Sequence, residues 1–160
     1  MTYHLAQINI ARFRLPAEDP ANAEFIAALD RVNTIADVQA GFVWRLKGEA
    51  NNALEFKAFD DPNLVVNMSV WRDMDALAAF VYRNSAHREI MRRRREWLTA
   101  IEISLALWWV PAGIVPTVEE GCVRLETLTR IGPSPEAFTF KSPFPAPDAV
   151  AISPVLDECA

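Results

Sequence analysis

The sequence predicts a single α+β domain whose elements follow the order β-α-β-β-α-β, with an added helix and a proline-rich tail. Two patterns and the composition carry that expectation. Leu64, Val66, Met68 and Val70 alternate with Val65, Asn67, Ser69 and Trp71, the period-two signature of a strand with two unlike faces. After Trp71 the period turns helical: Met74, Leu77, Ala78 and Val81 form one stripe, with Asp73 placed to cap it. A hydrophobic share of 51% and a charged share of 23% are those of a globular protein. A chain of 160 residues makes one domain, which buries roughly 70% of its unfolded surface without cross-links.

Taken in order, Tyr3 to Arg14 reads as the first strand. Ala6, Ile8 and Ile10 share one face, and Leu5, Gln7, Asn9 and Ala11 share the other. Prolines 16 and 20 mark a turn, and Asp19 or Asn22 is placed to cap a helix running to about Val38. Phe25, Ile26, Leu29, Val32 and Ile35 recur along it at helical spacing, and Ala40-Gly41 ends it. FVWRLKG is a short second strand, Gly48 to Pro62 a polar loop, and Leu64 to Trp71 the third strand. A long helical region follows from Asp73 to about Ile101, broken near Asn84-Ser85. Ser104 to Val110 is the fourth strand, stopped by Pro111 and Gly113. Residues 117–131 read as a capped helix, with Thr117 at the cap, Glu120 three residues on and Gly132 past the end. Residues 1–132 thus form the domain, and 133–160, with six prolines, an extended tail.

That order matches the ferredoxin-like split arrangement, a four-stranded antiparallel sheet with helices on one face. The other face is expected to be open and apolar. A second subunit is the economical cover, so a homodimer is expected.

Charge and composition narrow the function. A net charge of -5 gives no basic face for phosphate, which argues against nucleic acid as a partner. Cys122 and Cys159 supply neither a disulfide framework nor a metal cluster, and no zinc spacing or phosphate-cradling glycine loop is present. No signal-peptide core and no apolar run of about 18 residues appears, so a cytoplasmic address and no membrane partner are expected.

The polar residues worth following are few. Gln7, Asn9, Asn67 and Ser69 meet if the first and third strands pair, and buried amides must then bond each other or face water or a ligand. His87 shares a stripe with Ile90, Met91, Arg94 and Trp97 and is expected to point inward, as a base, a proton shuttle, an iron ligand or a core histidine satisfied by a carbonyl. Arg92 to Arg95 cover every direction around a helix. Glu89 and Glu96 are placed to pair with Arg93 and Arg92, leaving Arg94 to meet an inward or ligand carboxylate. Trp44 and Trp71 are the expected walls of a pocket for a flat ligand, and Cys122 a helix-packing thiol.

HLAQINIAR, GFVWRL, VNMSVW, SAHREIMRRRREW, LWWVPAG and PSPEAFTF together resemble an uncharacterised bacterial family of the dimeric α+β-barrel superfamily, over nearly the whole chain to about Lys141. That superfamily holds cofactor-independent monooxygenases of the antibiotic-biosynthesis type, haem-degrading monooxygenases and chlorite-dismutase-like haem proteins. The resemblance implies a dimer with a pocket between sheet and helices in each subunit. It implies a monooxygenase acting without cofactor on an aromatic or polyketide-like small molecule. There His87 acts as acid or base, Asn9 and Asn67 hold a carbonyl or peroxide oxygen, and Trp44 and Trp71 wall the ring, with Gln7, Ser69 and Arg94 as further contacts. Haem-degrading members use an asparagine on the first strand and a histidine in the second helical region. Asn9 and His87 fall in comparable places, with Phe80 where those enzymes carry tryptophan, so haem held by His87 is the alternative. A non-enzymatic binding module, its polar residues merely paired in the core, is the third reading.

Overall fold

Alternation in the first and third strand segments becomes the centre of the sheet in the computed structural model, which describes residues 1–149. Strand β1 (Tyr3–Phe13) runs antiparallel to β3 (Leu64–Trp71) in a register that sets Gln7 opposite Ser69 and Asn9 opposite Asn67. On its other side β1 pairs with β5 (Leu105–Pro111), and β2 (Phe42–Arg45) pairs with β3. The spatial order β2-β3-β1-β5 is that of the ferredoxin-like arrangement.

The expected sheet of four strands has a fifth. Strand β4 (Leu98–Thr99) pairs with Arg12 and Phe13 of β1, past the point where β5 leaves it. The long helical region accordingly stops early. It consists of α2 (Met74–Arg83), α3 (Ser85–Arg93) and one 3-10 turn, Arg94–Glu96. Trp97 is the cause: it is buried with Phe13, Phe25 and Val65, its ring 5.6 Å from that of Phe25, and this anchor turns the chain onto the sheet edge. The break at Asn84 lies where expected. Its N–H ends α2 on the Phe80 carbonyl, and its Oδ1 accepts from His87 N at 3.1 Å to start α3.

Asp73 caps α2 through Ala76 N, and Thr117 caps α4 (Val118–Ile131) through Glu120 N. Helix α1 (Ala23–Asp37) follows a 3-10 turn capped by Asp19, with Asn22 at its N-terminus buried and bonded to the Pro16 carbonyl.

The two faces of the sheet are both covered within one chain, which corrects the expectation of an open face. Ala6, Ile8, Ile10, Val66, Met68, Val70, Ala106, Trp108 and Val110 are buried beneath Leu125 and Leu128 of α4. Contact is close enough that a Cβ on Gly121 would fall 2.6 Å from Ile8 Cδ1. Trp108 Nε1 donates to Glu120 Oε1 at 3.0 Å and ties β5 to the same helix. Half-buried Cys122 packs on this side, and burial pushes its thiol pKa up. The opposite face meets α1, α2 and α3.

The expected tail divides. Residues 133–149 form a strap along β5, where Leu107 and Phe138 exchange both backbone hydrogen bonds at 2.9 Å. Phe138 is fully buried, and Trp109 Nε1 donates to the Phe144 carbonyl. The remainder, with Cys159, lies outside the described residues. Among the described residues no helix is long and apolar enough to cross a membrane.

Candidate functional site

Between the sheet and α1, α2 and α3 lies a cavity of about 570 Å³. That size suits a small organic ligand. The strand pairing explains its floor: Gln7, Asn9, Asn67, Ser69 and Trp71 all point to the helix side of β1 and β3.

The floor is a connected polar set. Gln7 Nε2 donates to Asn67 Oδ1 at 2.7 Å and to Ser69 Oγ at 2.9 Å, and Trp71 Nε1 donates to the same Oγ at 2.8 Å. Asn9 Nδ2 donates to the Ser104 carbonyl at 3.2 Å. These bonds leave Gln7 Oε1, Asn9 Oδ1 and Asn67 Nδ2 without partners among the described residues, yet none is sealed from the cavity. With its oxygen accepting twice, Ser69 keeps its own hydrogen to donate. The floor thus offers acceptors and donors within a few ångströms of one another, in a largely apolar chamber.

Above it stands an aromatic series. Phe42 meets Trp71 edge-on at 5.4 Å, Trp71 stacks on Phe80 at 5.2 Å, and Phe80 lies 5.2 Å from the His87 ring. His87 is placed by its position in the first turn of α3 and by Nδ1, which lies 3.0 Å from the Val81 carbonyl. A carbonyl only accepts, so Nδ1 carries the hydrogen and Nε2 presents its lone pair. Burial lowers the pKa from its ordinary 6.5, against the Val81 hydrogen bond, which raises it. His87 is therefore neutral at pH 7, with one nitrogen committed and, among the described residues, the other free.

Arg45 also borders the cavity, buried and saturated: Nε and Nη2 grip Asp37 at 2.7 and 3.1 Å, and Asn51 takes the rest. The guanidinium holds the Asp37 carboxyl below its usual range. At the mouth are Arg94 and Arg95, both exposed, with Leu98, Thr99 and Ala100 of the β4 region. Arg94 donates to the Met91 carbonyl.

Of the expected site residues, the cavity gathers Gln7, Asn9, Asn67, Ser69, Trp71, His87 and Arg94. Trp44 is the exception and must be corrected. A bulge between Phe42 and Trp44 sets Trp44 opposite Val70, so it packs on the α4 side. The same bulge delivers Phe42 and Arg45, opposite Trp71 and Ser69, to the cavity instead. The arginine pairing differs too. Arg92 takes Glu89 at 2.8 Å, and Arg93 takes Glu96 at 2.8 Å and Glu24 at 2.6 Å. Phe140, from the strap, lines the cavity beside Tyr82, ring centroids 5.5 Å apart. Neither it nor Arg95 carries a sequence signal beyond being aromatic in a tail and basic in a run.

A family model described as "Domain of unknown function (DUF3291)" matches residues 4–153. The chain belongs to this family. No curated protein matches it. Among solved structures, protein SO0527 from Shewanella oneidensis is similar at 12% identity and a TM-score of 0.51, over 69% of this chain and 93% of that one. SnoaB, a cofactor-independent oxygenase from Streptomyces nogalater, is similar at 20% identity and a TM-score of 0.48, over 71% of this chain and 98% of that one. Both likenesses are of fold. Protein SO0527 is covered almost end to end, so about three-tenths of this DUF3291 chain lies outside what it shares with that protein.

Proposed function

We propose that this DUF3291 protein binds a small aromatic or polyketide-like molecule in the cavity and oxygenates it without a cofactor, as a monooxygenase of the antibiotic-biosynthesis type. The observation that carries this reading is a neutral histidine, anchored through Nδ1, facing a chamber floored by amide and hydroxyl groups. An aromatic molecule with an acidic CH₂ beside a carbonyl fits such a site. His87 Nε2 takes a proton from that carbon. Asn67 Nδ2 and the Ser69 hydroxyl donate to the oxygen on which the negative charge gathers, and the low-dielectric walls strengthen both bonds. The carbanion then reduces O₂: CH₂ becomes C=O, four electrons pass to oxygen, one oxygen atom stays and the other leaves as water. Asn9 Oδ1 and Gln7 Oε1 are placed to hold hydroxyl groups of the ring.

The test is oxygen uptake with enolisable anthrone-type compounds and no added cofactor. Uptake is expected, and His87→Ala should lower it about 10²–10⁴-fold. An unchanged rate would remove His87 from the chemistry. The rate should also fall on acidification, with an inflection below 6.5, since only neutral His87 accepts a proton.

One observation favours a second reading. A histidine whose Nδ1 donates to a carbonyl and whose Nε2 is free is also the arrangement of an iron ligand. On that reading His87 would hold haem and Trp71 and Phe80 would pack on its ring, the iron supplying the oxygen chemistry. A Soret band on haem titration that disappears in His87→Ala supports it, and no band at all removes it. In either case this protein is expected to act on a small molecule.

A further inference from the structure

We propose that the ligand of this cavity is an amphipathic anion, with a ring-sized apolar body inside and an acid group held at the mouth by Arg94 and Arg95. The inference rests on reading the cavity as a ligand site and names the chemistry of what enters it.

Charge distribution is the first argument. The chain is acidic, with 21 carboxylate residues against 16 cationic ones, yet among the described residues no Asp or Glu lines the cavity, while three arginines do. Arg45 is already neutralised by Asp37. Arg94 and Arg95 have no carboxylate partner among the described residues, whereas Arg92 and Arg93, their neighbours in the chain, have three between them. Among the described residues the four arginines therefore divide by position: the two turned away from the cavity have carboxylate partners, and the two at its mouth have none.

Placement is the second argument. The Arg94–Glu96 turn leads directly into β4, whose Thr99 sits opposite Arg12 on β1. Gln7 lies five residues back from Arg12 along β1, with Ser69 opposite it on β3, and at ~3.3 Å per residue this separates the two ends of the site by ~16 Å. The molecule that satisfies both ends is long enough to span two or three fused rings, polar at the inner end and acidic at the outer. A guanidinium presents planar pairs of donors that suit a carboxylate or sulfonate.

Two fluorescent arylamines that differ only in charge test this. 1-Anilinonaphthalene-8-sulfonate carries the acid, and N-phenyl-1-naphthylamine is the same body without it. The sulfonate is expected to bind the full chain about tenfold more tightly and to displace the neutral probe. Combined Arg94→Gln and Arg95→Gln should weaken the sulfonate about tenfold or more and leave the neutral probe within about twofold. Arg92→Gln should change neither. Both mouth arginines are exposed, so the double variant should keep the wild-type melting temperature. Equal affinity for the two probes, or an effect of Arg92→Gln as large as that of the mouth pair, overturns the proposal. Binding of the neutral probe alone leaves the cavity a ligand site and removes only the anion. If neither probe binds, the reading of the cavity as a ligand site falls as well.

Discussion

Met68 and Asn67 are adjacent on β3 and sit in opposite kinds of interior. Met68 is buried opposite Ile8 of β1 and beneath α4, its sulfur 3.3 Å from where a Cβ on Gly121 would lie. Asn67 faces about 570 Å³ of cavity with one amide nitrogen unbonded. Both faces belong to the same strands, so backbone conformation does not explain the difference. The covering helices do. Helix α4 carries Gly121 where it crosses β1 and settles directly onto Ile8. On the other side Phe42, Phe80 and Trp71 interpose large rings between sheet and helices and hold them apart. A face that serves stability is closed by a small residue, and a face that serves a ligand is propped open by large ones.

The largest expected effect breaks the closed face. Met68→Ala should cost about 2–5 kcal/mol in denaturant unfolding, because its void cannot collapse between strand and helix. A loss below about 1 kcal/mol would mean that this face is not tightly packed. Gly121→Val should cost about 1–3 kcal/mol, since the added methyl groups meet Ile8 and force α4 outward. On the open face Ser69→Ala should cost a similar 1–3 kcal/mol (about 2 at the centre), but for another reason: the buried Trp71 N–H loses its acceptor. Asn67→Ala is expected to stay within about 1 kcal/mol of wild type, since water in the cavity can replace the amide for Gln7. It should nonetheless weaken ligand binding, and a large stability loss there would make Asn67 a core residue rather than a site residue.

The smallest expected effect is on pH. Burial lowers the His87 pKa in the folded chain, so the unfolded chain binds that proton more readily. His87 thus leaves stability undiminished above 6.5 and subtracts from it as pH falls toward the folded value. Melting temperatures between pH 8 and 5 should decline more steeply in wild type than in His87→Gln. Equal slopes would mean that His87 is as solvated in the fold as out of it.

Much of this was legible in the residues themselves. The alternation in β1 and β3, combined with their pairing, was enough to bring Gln7, Asn9, Asn67 and Ser69 onto one face. The stripe through Ile90 and Arg94 was enough to aim His87 at them. What escaped the sequence depended on contacts between distant segments. From Ser85 the helical pattern reads on to about Ile101, and only the burial of Trp97 against Phe25 stops it at the Arg94–Glu96 turn. The bulge in β2 has no compositional mark, so the sequence points to Trp44 as a pocket wall and gives no sign that Arg45 borders the cavity. The apolar face of β1 announced that something must cover it, but a fifteen-residue helical pattern at 117–131 does not say on which face it lands. Phe140 reaches the cavity only because the strap before it is fixed along β5.

The Leu107–Phe138 backbone pair has a consequence beyond holding the strap in place. A bare outer strand is a template on which other chains can add, and natural sheets guard against it. Here the outward-facing N–H and C=O of Leu107 are already engaged at 2.9 Å, inside β5. At the opposite margin β2 is only four residues long and interrupted by its bulge. Neither border offers a long, flat row of free donors and acceptors, so this sheet is protected at both sides against growth into a larger one.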